Sequence, residues 1–207
     1  MLMEKLMKKL FTLLLLVVVS ANIAGASVVT PTPTPETIFV TKVANEIMTA
    51  IKKGGGEKAI SVALQKTFTN YVDLPWVANF VLGRHARTIN AEEKSRFVNS
   101  YKDFMVESYA TRLKNYAGET YKISKQQDLG NSRKQVRMEI YRKEGAPIFI
   151  DYKIHKVQEG HKADEKFKIY DMAVEGISLI TTQRSEFDAV IERKGFASLI
   201  ASLEKNR

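Results

Sequence analysis

No cysteine occurs anywhere in the 207 residues. That one absence excludes disulfide staples, thiolate metal sites and thiol catalysis together. The fold must then rest on its apolar core, which a domain of ~180 residues can bury without covalent help. Histidine is scarce as well. His85, His155 and His161 lie far apart, with neither metal-ligand spacing nor a nucleophile motif beside them. Gly-x-Ser-x-Gly and His-Glu-x-x-His are both missing. Gly54-Gly55-Gly56 is not followed by the Lys-Ser/Thr pair of a phosphate loop, so it reads as a turn. Carboxylates are plentiful, but no pair is singled out by an apolar setting, as an acid/base couple requires. Asp171, placed inside a strand pattern, is expected to form a structural ion pair. These absences point away from an enzyme, and no metal or cofactor is expected.

What is present is positive charge. The formal net charge is +9, spread along the chain without the basic run of a nucleic-acid-binding arm. A carrier of this sign is drawn to phosphate-bearing or anionic-lipid partners rather than repelled by them, and no nucleic acid is expected.

The amino terminus has its own pattern. Lys5, Lys8 and Lys9 precede an apolar run over 10–19, and Ala24-Gly25-Ala26 supplies a small-x-small cleavage site. The run is about half of the ~20 residues that a membrane span needs, so residues 1–26 are expected to be a secretory signal peptide. Its removal takes three lysines and one glutamate and leaves a charge of +7. Residues 27–35, rich in Thr and Pro, read as a short extended linker, and 36–207 as a single domain.

Helical spacing dominates the first half of that domain. Thr34 and Pro35 open a helix whose apolar side holds Val43, Ile47 and Ile51. A second follows through Ile60, Leu64 and Phe68, and a short third over 74–82 with Val77, Phe80 and Val81 inward. The longest spans 90–118. Asn90 and Glu93 have capping-box spacing, and Gly118 is the expected stop. Phe97, Tyr101, Phe104, Met105, Tyr109, Leu113 and Tyr116 recur at steps of three and four, so one face is aromatic. Lys94, Arg96, Lys102, Asp103, Glu107, Arg112 and Lys114 fall opposite.

The period then changes to two. Tyr121 and Ile123 begin a weak first strand. Val136, Met138 and Ile140 alternate with polar neighbours, and after a turn at 144–147 so do Ile148, Ile150, Tyr152 and Ile154. Gly160 and His161 sit in the next turn. In the last strand, near 166–174, Phe167 and Ile169 fall on one face while Tyr170, Met172 and Val174 fall on the other. Helical spacing returns over 177–191 and 196–203. Helices, then strands, then helices is an α+β pattern, and hairpin-length connections make the sheet antiparallel. The long aromatic helix is available to lie across the sheet's apolar face. Whether the result is a solid core or a cavity is not decided by periodicity.

Three stretches bear a family resemblance. They are Asp73-Leu74-Pro75-Trp76 through Leu82-Gly83-Arg84-His85-Ala86-Arg87, the helix from Phe97 to Ser108-Tyr109-Ala110, and Tyr170-Asp171-Met172-Ala173-Val174-Glu175-Gly176-Ile177-Ser178-Leu179 with the later Arg184-Ser185-Glu186-Phe187. Together they resemble the MlaC, or toluene-tolerance, family over roughly 38–203. The chain departs at Ala86, where the family usually carries Trp, and at Gln183, where it usually carries Tyr. The resemblance implies a twisted antiparallel sheet of about four strands, wrapped by helices around an apolar cavity. It also implies a periplasmic phospholipid shuttle, monomeric and in transient membrane contact, working between an inner-membrane Mla ABC complex and an outer-membrane Mla lipoprotein complex to maintain outer-membrane lipid asymmetry. The alternatives are an envelope carrier of another, hopanoid-like lipid and a non-catalytic envelope adaptor with a solid core. The cavity is expected to be lined by Val77, Phe80, Val81, Phe97, Tyr101, Phe104, Met105, Tyr109, Val136, Met138, Ile140, Ile148, Ile150, Tyr152, Ile154, Met172 and Val174. Arg84, Arg87 and Arg184 are the expected head-group contacts.

Overall fold

The computed structural model describes residues 33–113, 119–157 and 166–205. The expected signal peptide, most of the linker, Tyr116, Gly118 and the turn at Gly160 and His161 lie outside those residues. Within them the chain runs α1 (Pro35–Lys52), α2 (Gly56–Tyr71), α3 (Leu74–Leu82), a short 3-10 turn (Gly83–Arg87) and α4 (Ala91–Leu113). It continues through β1 (Thr120–Gly130), β2 (Arg133–Tyr141), β3 (Ile148–Lys156), β4 (Phe167–Val174) and β5 (Ile177–Ser178), then α5 (Leu179–Lys194) and α6 (Phe196–Lys205).

Four of the helices start at a side-chain cap. Thr34 caps α1 by accepting from Thr37 N at 3.2 Å, and Pro35 occupies the first turn, where its missing N–H costs nothing. Asp73 caps α3 through Trp76 N at 3.1 Å. Asn90 and Glu93 exchange reciprocal bonds, each 2.9 Å, and close the capping box of α4. Ser178 caps α5 through Thr181 N at 3.2 Å.

The sheet is an antiparallel meander in the order β1-β2-β3-β4-β5. Its register sets the expected apolar residues on one face. Val136 faces Tyr152, Met138 faces Ile150 and Ile140 faces Ile148 across β2 and β3. Tyr152 then faces Met172, and Ile150 faces Val174, across β3 and β4. The mixed pattern of β4 is resolved by a bulge. Ile154 pairs with Ile169 but Lys153 pairs with Asp171, so Tyr170 is the extra residue. A bulge flips the alternation, and Phe167, Ile169, Met172 and Val174 therefore share the inner face. β5 was not expected. Glu175 (φ 50°) and Gly176 (φ 80°) form a two-residue turn that folds Ile177 back against Val174.

One expectation is corrected. The sheet is roofed by α1, not by the long aromatic helix. Phe39, Val40 and Val43 of α1, with Tyr71 from α2, pack on Val136, Ile154, Phe167 and Ile169. The aromatic stripe of α4 packs instead against α3, α5 and α6, where Phe97 and Tyr101 stack at 5.6 Å and Phe187 meets both edge-on. Amphipathic spacing tells which side of a helix is apolar; the apolar sides of three other helices compete with the sheet for it.

Candidate functional site

A domain of this size usually has one contiguous core. Here the buried apolar residues fall into three groups. One lies among α3, α4, α5 and α6, the second between α1 and the sheet, and the third joins Ile60 and Leu64 of α2 to Val106 and Ala110 of α4. Phe68 and Tyr109 touch both the first and third groups, and Val72 touches the first and second.

The expected lining residues divide along these lines. Val77, Val81, Phe97, Tyr101, Phe104 and Met105 are buried within the helical group, with Phe80 packed against it. Val136 and Ile154 are sealed under α1, each with 0% exposure. Met138 is also buried. Ile140, Ile148, Ile150, Tyr152, Met172 and Val174 are different: all six stay half-buried, although they are apolar and on the face that α1 covers at its other end. Tyr109 and Leu113, at the carboxyl end of α4, and Ile47 and Ile51, in the second half of α1, are half-buried too. The structure thus separates a packed set from an incompletely covered set, which the sequence pattern had merged.

Two tyrosines define the incompletely covered set most sharply. Loss of hydration pushes the Tyr109 phenol up to about 12, against a smaller opposing pull from Arg112. The same desolvation raises the Tyr152 phenol. Both nevertheless keep part of their surface uncovered.

Polar groups elsewhere are committed to structure. Tyr101 donates to Gln183 Oε1, and Gln183 Nε2 lies 3.1 Å from Met105 Sδ. Gln183 thus fills its position with a polar link between α4 and α5. Asp171 accepts from Lys153 Nζ and Ser178 Oγ, both at 2.8 Å, and is 4% exposed. It ties β4 to the start of α5, the structural ion pair its strand position suggested. Asp151 takes two bonds from Arg137, at 2.7 and 2.8 Å, on the face away from Ile150.

The three arginines collect near the 3-10 turn and α5. Arg84 lies 3.2 Å from Asp188 Oδ1 and 3.0 Å from Glu192 Oε1. His85 Nε2, beside it, is 2.9 Å from Asp188. That contact, with Arg84, holds the Asp188 carboxyl below the usual range. His85, Asp188 and Glu192 could together offer ligand atoms to a cation, but the Arg84 guanidinium already supplies one to both carboxylates. Arg184 lies over the Phe80 ring at 5.1 Å and presses on Gly83, whose φ of 56° and crowded Cβ position suit glycine alone. Arg87 is exposed on the same turn. Sequence reasoning missed a feature elsewhere: an open groove of about 640 Å³ between α1 and α2, lined by Ile38, Thr41, Lys42, Asn45, Glu46 and Lys66 among others. It contains none of the expected site residues.

Among the described residues no helix is long and apolar enough to cross a membrane. The fold matches a solved phospholipid-binding protein from Ralstonia solanacearum, determined in complex with a phospholipid. The TM-score is 0.70 at 20% identity, covering 82% of this chain and 95% of that one. In sequence, the chain is 28% identical over 138 residues to the intermembrane phospholipid transport system binding protein MlaC of Haemophilus influenzae. That match spans 66% of this chain and 63%, less than two thirds, of the relative. The sequence profile described as MlaC protein matches residues 41–205, and the chain belongs to the MlaC family.

Proposed function

We infer that the chain is a phospholipid carrier of the cell envelope. Acyl chains occupy the space bordered by Ile140, Ile148, Ile150, Tyr152, Met172 and Val174 on the sheet and by Tyr109 on α4. The observation that carries this reading is the row of half-buried apolar residues on the inner face of the sheet, in a molecule whose buried core falls into three groups.

The energetics explain why such a protein is needed. Exposing a methylene to water costs about 0.8 kcal/mol, so a lipid with two long chains faces a barrier on the order of 20 kcal/mol. An apolar interior removes most of that cost. Transfer into and out of the protein becomes nearly neutral, and the docking partner then decides direction. No catalytic group is required. The polar head stays at the mouth, where an arginine pairs a phosphate. Arg84 and Arg184 already have protein contacts, which makes Arg87 the arginine of the three most available to a head group. On this reading the carrier works in the periplasm, shuttling as a monomer between the inner-membrane Mla ABC complex and the outer-membrane lipoprotein complex.

The test is transfer of a labelled phospholipid from donor to acceptor vesicles. The protein should raise the transfer rate in proportion to its concentration, with no nucleotide added. A rate equal to that of a lysozyme control would reject the carrier reading.

A further inference from the structure

The groove between α1 and α2 has no part in the carrier site, yet its chemistry is particular. It continues towards the turn that joins the two helices. Glu46 and Thr49 line both stretches, and Lys53, Lys58, Ala59 and Val62 line the further one. One continuous face of the helical hairpin thus carries Lys42, Lys53, Lys58 and Lys66. Three large apolar side chains are exposed among the described residues. Two of them, Ile38 at 58% and Val62 at 64%, stand on this face. The acids of the hairpin do not cancel its charge. Glu46, which lines the groove, is matched by Lys66 at 3.3 Å. Glu57 is turned to Thr111 on α4, and Glu36 acts on Lys134 of β2. Among the described residues no ion pair engages Lys53 or Lys58. Between these two, Gly54 and Gly56 leave open space where a Cβ would stand, so the tip of the hairpin is bare backbone.

Two kinds of surface complement a face that is basic and partly apolar: an acidic protein and an anionic bilayer. Protein interfaces are depleted in lysine and anchored by aromatic side chains in closed pockets. This face is rich in lysine, its lining residues among those described include no aromatic, and its aliphatic side chains protrude. Protruding aliphatics flanked by lysine suit a bilayer, where methyl groups enter the boundary below the head groups and ammonium groups stay with the phosphates. We propose that the outer face of the α1–α2 hairpin docks the protein on an anionic bilayer, with Lys53 and Lys58 on lipid phosphates and Val62 and Ile38 in the apolar boundary. This surface is separate from the acyl site and goes beyond the carrier reading.

The chain has no cysteine, so Val62→Cys carries a single polarity-sensitive fluorophore. Ser185→Cys places the same probe on an exposed position of α5, a helix that packs on α3 and α6 instead of the hairpin. Protein purified from its own cells is mixed with vesicles of phosphatidylcholine, alone or with phosphatidylglycerol in a three-to-one ratio, and cosedimentation gives the affinity. Binding should be confined to the anionic vesicles and weaken as salt rises. It should blue-shift the probe at Val62 and leave the probe at Ser185 unchanged. Each lysine near such a surface contributes about fivefold in affinity, so Lys53→Gln with Lys58→Gln should weaken binding about 25-fold. Lys194→Gln with Lys205→Gln, at exposed lysines ending α5 and α6, removes the same charge elsewhere and should change binding little. All four substitutions are on the surface and should keep the thermal midpoint. Lost vesicle binding with bound lipid intact in the Lys53 and Lys58 variant separates this surface from the carrier site. Equal losses from the two lysine pairs would mean that net charge alone acts, and would overturn the proposal. So would a probe shift at Ser185 with none at Val62. Absence of binding to the anionic vesicles at low salt overturns it too, and makes an acidic protein the occupant of this face.

Discussion

Ile150→Trp places an indole on the inner face of the sheet between Met138 and Val174, and Asp151→Ala changes the next residue on the opposite face. If acyl chains fill the space beside Ile150, the indole displaces them. Pushing out two methylenes costs about 1.6 kcal/mol of binding, or about 15-fold in affinity, while the fold keeps its contacts. If that space were a sealed core, the same substitution would overpack it at about 1–3 kcal/mol, with a midpoint loss of about 2–12 °C for a domain of this size. Asp151→Ala should behave in the opposite way. It strips two bonds from Arg137 and leaves that cation unpaired. Asp151 is buried but the Arg137 side chain is 35% exposed, so the cost should be about 1–3 kcal/mol, below the roughly 3–5 of a fully buried pair. The assay is lipid-to-protein ratio alongside thermal midpoint for both variants. Lower lipid at a steady midpoint for Ile150→Trp, with the reverse for Asp151→Ala, is the expected result. A large midpoint loss with full lipid at Ile150→Trp would refute the reasoning.

Other consequences can be checked separately. Asn90→Ala removes one half of the capping box of α4 and should lower stability by about 1 kcal/mol, read as a shift in denaturant midpoint at constant slope. Burial raises the Tyr109 phenol from an ordinary 10.0 to about 12. The unfolded state therefore loses this proton first, and stability present below pH 10 is lost as pH rises towards 12. Tyr109→Phe should flatten that alkaline limb in a pH series of thermal midpoints, and an unchanged limb would mean that the phenol is hydrated.

Local chemistry was legible where it had local causes. The caps at Thr34 and Asn90 and the two-residue period of β2 and β3 depend on near neighbours, and the structure has them. The bulge at Tyr170 was present in the sequence only as a contradiction between Ile169 and Met172; the register with β3 resolves it. The Glu175-Gly176 turn was hidden because Glu is an unusual residue at positive φ. The partner of the aromatic helix was not legible at all, since Phe97 and Tyr101 would satisfy a sheet as readily as they satisfy Phe187. For the same reason periodicity could not separate Val136, sealed under α1, from Ile140 and Ile150, which have identical alternation and remain half-uncovered. Coverage is a property of what lies above a residue, and no spacing rule contains it.

The most direct measurement is the lipid content of the protein itself. Purified from its own cells without detergent and extracted with organic solvent, it should release phospholipid close to one molecule per chain. Ile150→Trp prepared in the same way should release less. An extract of the wild-type protein that contains no lipid, from a sample that melts cooperatively, would contradict the account.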